Sequence, residues 1–179
     1  MKLLMNKLLI STIVSAAISS FTVNASGEPG KINFEGSVTN TPCGISADSL
    51  NQTVDFGQVS RANLMHGGNS ERQEFEIKLV NCQIENENKV AVTFRGDVSE
   101  ENHGELLAHG DAGDVVIKMF TEGEQQIQLG EELDPTEIGP SNSYINTLHF
   151  YAVAAKRTGI YGVLDGNFSG EATFTLRYE

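Results

Sequence analysis

The chain has 179 residues, with 12 basic against 24 acidic side chains and a net charge of −12 when histidine is counted as neutral. A chain this acidic argues against nucleic acid or an anionic membrane surface as a partner. Two cysteines, no tryptophan and four scattered histidines point away from a metal or cofactor, and none is expected.

Residues 1–25 read as a signal peptide: Lys2 and Lys7 give a basic start, 8–21 is an apolar run, and Val23-Asn-Ala25 is a small-residue cleavage site. The run falls short of the roughly 20 residues a membrane helix needs. Cleavage after Ala25 would leave 154 residues (179 − 25), a length suited to one domain, with 10 basic and 24 acidic side chains, net −14. The mature chain is expected to be exported and soluble.

Beyond the cleavage site, Ile32, Phe34, Gly36 and Val38 alternate with Asn33, Glu35, Ser37 and Thr39. That is the period of a strand with one apolar face, and its internal glycine suits close approach by a neighbouring chain. Cys43 and Cys82, an even pair in an exported chain, are expected to form a disulfide. Closing a loop of about 40 residues is worth roughly 4 kcal/mol in the chain-entropy model.

Short strands separated by turn chemistry fill the middle of the chain. Residues 53–56 read as a strand ended by Gly57, and 61–70, with His66-Gly-Gly-Asn69, as a loop. Phe75, Ile77 and Leu79 alternate with charged neighbours, as do Val90, Val92 and Phe94 with theirs. Residues 115–120 form a β-branched run, 127–129 a shorter piece, and 148–154 a further strand. No window sustains a 3.6-residue period, so helices should be single turns at most. About seven short strands with intervening turns predict an all-β sandwich.

The final stretch has the clearest pattern. Phe168, Gly170, Ala172, Phe174, Leu176 and Tyr178 alternate with Asn167, Ser169, Glu171, Thr173, Thr175 and Arg177. One long half-apolar strand over 166–179 is expected, with no successor to pair its free edge. Such an edge invites another segment. Residues 32–38 could fill it within one molecule or from another, and periodicity does not choose between these.

Signals for catalysis are weak. His66, His103, His109 and His149 lack the spacing of a zinc site on a helix, and no Gly-x-Ser-x-Gly occurs. The acidic residues suggest a solvated surface. Asn51-Gln-Thr53 and Asn167-Phe-Ser169 match a glycosylation pattern that is common by chance. No enzyme is expected.

The segment from Gly30 through Cys43 resembles the donor-strand extension and first cysteine of chaperone–usher pilins. Asp55-Phe-Gly-Gln58, Ile77-Lys-Leu-Val-Asn-Cys82, a glycine fourteenth from the end (Gly166) and a penultimate tyrosine (Tyr178) complete the likeness. It spans essentially the whole mature chain and is closest to the shaft subunits of P-type pili. The resemblance implies an incomplete immunoglobulin-like β-sandwich lacking its last strand, completed in trans by a donor strand. It divides the chain into a signal peptide (1–25), a donor extension (26–41) and a pilin domain (42–179). It assigns Ile32, Phe34, Gly36 and Val38 to the donor strand. Gly166, Phe168, Gly170, Ala172, Phe174, Leu176 and Tyr178 fall to the acceptor groove and last strand. The implied partners are a periplasmic chaperone, an outer-membrane usher and neighbouring subunits of a homopolymer, with the cell-surface fimbrium as destination. A minor adaptor or terminator subunit and a carbohydrate-binding adhesin are the alternatives. The adhesin is disfavoured, because tip adhesins of this family carry a further lectin domain.

Overall fold

The computed structural model describes residues 30–84, 88–99, 102–140 and 146–179. The expected signal peptide at 1–25 lies outside them. The chain divides between Ser37 and Val38 into two units. In the first, the described residues 30–37 have no regular secondary structure.

The second unit is a two-layer sandwich. Its strands are β1 (Gly44–Ile45), β2 (Gln73–Val80), β3 (Lys89–Gly96), β4 (Val98–Ser99), β5 (Asn102–Leu107), β6 (Val115–Thr121), β7 (Thr136–Glu137), β8 (Thr147–Lys156) and β9 (Ala172–Tyr178). Two single-turn helices, α1 (Ala47–Leu50) and α2 (Arg61–Met65), lie between β1 and β2. The larger sheet has the order β1-β2-β8-β6-β5-β4, and the smaller β7-β3-β9. All strand pairings are antiparallel.

The period-2 readings translate directly into this core. Ile77 and Leu79 of β2, Val90, Val92 and Phe94 of β3, Ile117 and Met119 of β6, and Leu148, Phe150 and Ala152 of β8 all point between the layers and are buried. An aromatic cluster locks the centre: Phe94 meets Phe150 edge-on at 5.1 Å, and Phe75 stacks on Phe150 at 5.4 Å. A second, smaller cluster of Leu64, Ala112, Val115, Ala154 and Val163 closes one end, with Phe56 and Phe168 packed against it. The Cys43–Cys82 disulfide is formed and joins the residue before β1 to the second residue past β2.

Three local expectations change, and one strand is unexpected. Residues 53–56 are extended but not a strand: a strand needs a ladder partner, and here the chain turns instead, Gly57 donating its N–H to Asp55 Oδ1 at 2.8 Å with φ at +58°. The 127–129 piece is held by single bonds to two different elements, Ile127 N–H to the Met119 carbonyl and Leu129 N–H to the His103 carbonyl, both 2.9 Å. The glycine- and acid-rich stretch around His103 contains β5. Its pattern is obscured because Glu105 is fully buried and spends its carboxylate on Thr158 and Lys118. The last strand is shorter than expected. Residues 166–171 form no strand: Ser169 exchanges backbone hydrogen bonds with His109 (2.8 and 2.9 Å), and Asn167 accepts one from Ala112 (3.1 Å). The chain therefore runs along the β5–β6 connection first and joins the smaller sheet only at Ala172. Glycines allow the crossing: a Cβ on Gly170 would stand 2.9 Å from Ile117 Cδ1, and one on Gly96 would stand 2.8 Å from the Glu171 carbonyl oxygen.

Replacing both Cys43 and Cys82 by alanine should lower the unfolding free energy by about 4 kcal/mol. Denaturant titration of the oxidised protein against the double variant measures this, and labelling of the unfolded oxidised protein should find no free thiol.

Candidate functional site

An elongated groove of about 1370 Å³ opens between the two sheets. Its floor is the core itself, including Phe75, Ile77, Phe94, Ile117 and Met119. One rim is the irregular stretch from α1 through Val59. The other runs from Val163 to Phe174. Near one end the rims approach each other where Phe56 and Phe168 meet, ring centres 5.8 Å apart.

Unequal burial across one strand pair gives the groove its meaning. β9 pairs with β3 from Val90↔Tyr178 to Gly96↔Ala172, and no other strand pairs with β9 among the described residues. On β3, Val90, Val92 and Phe94 are buried. On β9, in the same layer, Ala172, Phe174, Leu176 and Tyr178 are only half-buried while the alternate residues are exposed. Phe174 touches the aromatic cluster through Phe94 at 6.3 Å. The apolar face of β9 is thus continuous with the core but lacks cover on its outer side. That side also offers unpaired backbone groups, the usual template for an added strand.

Charge holds the far end of β9 in place. On the solvent face Arg177 grips Glu132 with two bonds of 2.6 and 2.8 Å and Glu179 with one of 2.8 Å. The hydrogen bonds from Arg177 keep the Glu132 carboxyl below its ordinary range. Where the strand leaves the core, burial raises the Tyr178 phenol. Asp55, Asp165 and Glu171 border the groove, with Arg61 as a cation beside them.

Gly166, Phe168, Gly170, Ala172 and Phe174 line the groove, while Leu176 and Tyr178 continue the same face onto the core. Ile32, Phe34 and Val38 are exposed, at 75%, 88% and 103% of their full area. No group of three or more His, Cys, Asp or Glu residues suited to a metal occurs among the described residues. Sequence reading missed the opposite wall of the groove. Phe56 carried a signal, as the apolar residue inside Asp55-Phe-Gly-Gln58. Phe75 and Ile77 were legible only as core.

Comparison with known proteins assigns this architecture. The fimbrial protein family model matches residues 32–179. The chain belongs to the fimbrial protein family. This pilin is 34% identical to the KS71A fimbrillin of Escherichia coli over 191 residues, spanning 98% of this chain and 100% of that one. It is 32% identical to the Pap fimbrial major pilin protein of E. coli over 189 residues, with the same coverage, and 33% identical to the Fimbria A protein of Serratia marcescens over 175 residues, covering 98% and 99%. Among solved structures it resembles the P pilus rod subunit PapA, with a TM-score of 0.70 and 31% identity over 78% of this chain and 100% of that one. It also resembles a chaperone–usher pilus subunit, with a TM-score of 0.76 and 31% identity over 85% and 96%. The sandwich is therefore immunoglobulin-like and lacks a strand, and the pilin is a structural subunit of cell-surface fimbriae.

The Arg177–Glu132 pair makes a pH-dependent prediction. Because the folded-state pKa of Glu132 is lowered, its contribution is complete above the ordinary carboxylate range and is lost as pH falls through the lowered value. Glu132→Gln should lower the thermal midpoint slightly at pH 7, as befits an exposed pair. The difference from the parent should vanish in acid, which scanning calorimetry across pH 2–7 would follow.

Proposed function

We propose that this pilin is a shaft subunit that polymerises by donor-strand exchange, one copy's residues 26–41 serving as the strand that another copy's sandwich lacks. Ile32, Phe34 and Val38 would enter the groove beside Phe168, Ala172, Phe174 and Leu176, while their main chain adds a ladder to the free edge of β9. Burying three such side chains contributes roughly 5–9 kcal/mol at about 1.5–3 kcal/mol each. Ordering the extension offsets part of this.

The single observation that carries this reading is the half-buried apolar face of β9 along an open groove. Before assembly the same surface would need cover. The role fits a periplasmic chaperone lending a strand, with an outer-membrane usher as the site of exchange and residues 1–25 as the export signal removed beforehand.

Gly36 offers the sharpest test. A Cβ built there meets nothing within 4 Å, and Gly36 is not among the positive-φ glycines. Its own conformation therefore does not require glycine, and a requirement would arise only in the acceptor, where the strand passes close to the groove floor. Gly36→Leu should leave the chaperone-bound subunit at normal levels in the periplasm and abolish detergent-resistant polymers in unheated surface material. Normal polymers, or loss of the subunit itself, would contradict the assignment.

A further inference from the structure

The connection between β8 and β9 carries an aromatic side chain that stands clear of the core. Tyr161 is 98% exposed, and Leu164, three residues on, is also exposed while lining the groove. The loop is anchored on both sides of the tyrosine. Before it, Thr158 gives its N–H to the buried Glu105 carboxylate at 3.2 Å and its hydroxyl to the other oxygen, and Lys118 approaches that carboxylate at 3.3 Å. After it, the buried Val163 accepts a 2.6 Å hydrogen bond from Arg61 Nε and directs its N–H at Met65 Sδ. A rigidly based, fully exposed tyrosine has the character of an interface anchor, since little conformational freedom is lost when it docks.

We infer that Tyr161 and Leu164 dock against the body of the subunit that donates its strand. This rests on the donor-strand reading above and goes beyond it, because Tyr161 is not part of the groove lining and Leu164 stands at its rim. The occupant follows from chain length. Val38, the last apolar residue of the donor pattern, is followed closely by Cys43, which is buried and disulfide-bonded. The intervening residues reach at most about 18 Å when fully extended, so the donor's body must abut one end of the acceptor groove. Charge and apolarity choose the end. The Tyr178 end holds the Arg177, Glu132 and Glu179 ion cluster. Among the described residues outside 30–38, the exposed large apolar residues are Leu50, Tyr161 and Leu164; Leu164 lines the groove together with Gly166, and Tyr161 precedes it on the same connection. A body arriving there requires the donor to run antiparallel to β9, as every strand pair in the sandwich does.

The test separates strand from body. Chaperone-bound Tyr161→Ser acceptor is offered either a synthetic peptide of residues 30–41 or intact chaperone-bound subunits, with Tyr161→Phe as the conservative control. Peptide uptake by Tyr161→Ser should match the parent. Its polymers should form or persist about tenfold less well, as loss of one interface anchor worth about 1.4 kcal/mol implies, and Tyr161→Phe should restore them. Polymers equal to the parent's would overturn the inference, as would equal losses with peptide and with subunit, which would make the loop part of the groove. If the parent acceptor takes up no peptide, the groove reading fails and this inference fails with it.

Discussion

The structure depends on a core that is finished on one side of a strand and unfinished on the other. β3 and β9 lie side by side and present the same alternation, yet Val90, Val92 and Phe94 are buried while Phe174, Leu176 and Tyr178 are half-exposed. Hydrophobic cover is worth about 25 cal/mol per Å² of apolar surface. A domain of marginal stability therefore gives up a substantial share by leaving that face open. In a subunit built for assembly, the deficit becomes the driving force for taking up a strand.

The rest of the domain holds this opening in shape. The Cys43–Cys82 bridge fastens the start of one rim to the end of β2. Ser169 and Asn167 tie the other rim to the His109–Ala112 turn of the opposite sheet. Gly96 and Gly170 let the chain pass between layers where a side chain would collide. Phe56 and Phe168 pack together at one end. The groove is thus bounded by covalent, hydrogen-bonded and packed contacts on either side.

Much of this was legible in the sequence because sandwich strands obey a strict period of two. β2, β3, β6, β8 and β9 each announced themselves by alternation or by β-branched runs, and the even cysteine pair gave the disulfide. The failures share one cause: alternation records which face is apolar but not which chain lies alongside. It could not show that 166–171 bonds to the β5–β6 connection before β9 begins. Nor could it show that 53–56 has no ladder partner. β5 was hidden because its buried Glu105 is compensated by Thr158 and Lys118, which are distant in sequence. The groove was legible only by half, through the β9 face, since its other wall is made of ordinary core residues such as Phe75 and Ile77.

The central claim is that the sandwich is energetically incomplete without a strand from elsewhere. The most direct measurement compares two versions of the mature chain lacking its own N-terminal extension, one of them carrying residues 30–41 after Glu179 through a short flexible linker. The account predicts a much higher denaturant midpoint for the version with the appended strand, lowered again when Phe34 within that strand is replaced by aspartate. Equal midpoints for the two versions would contradict it.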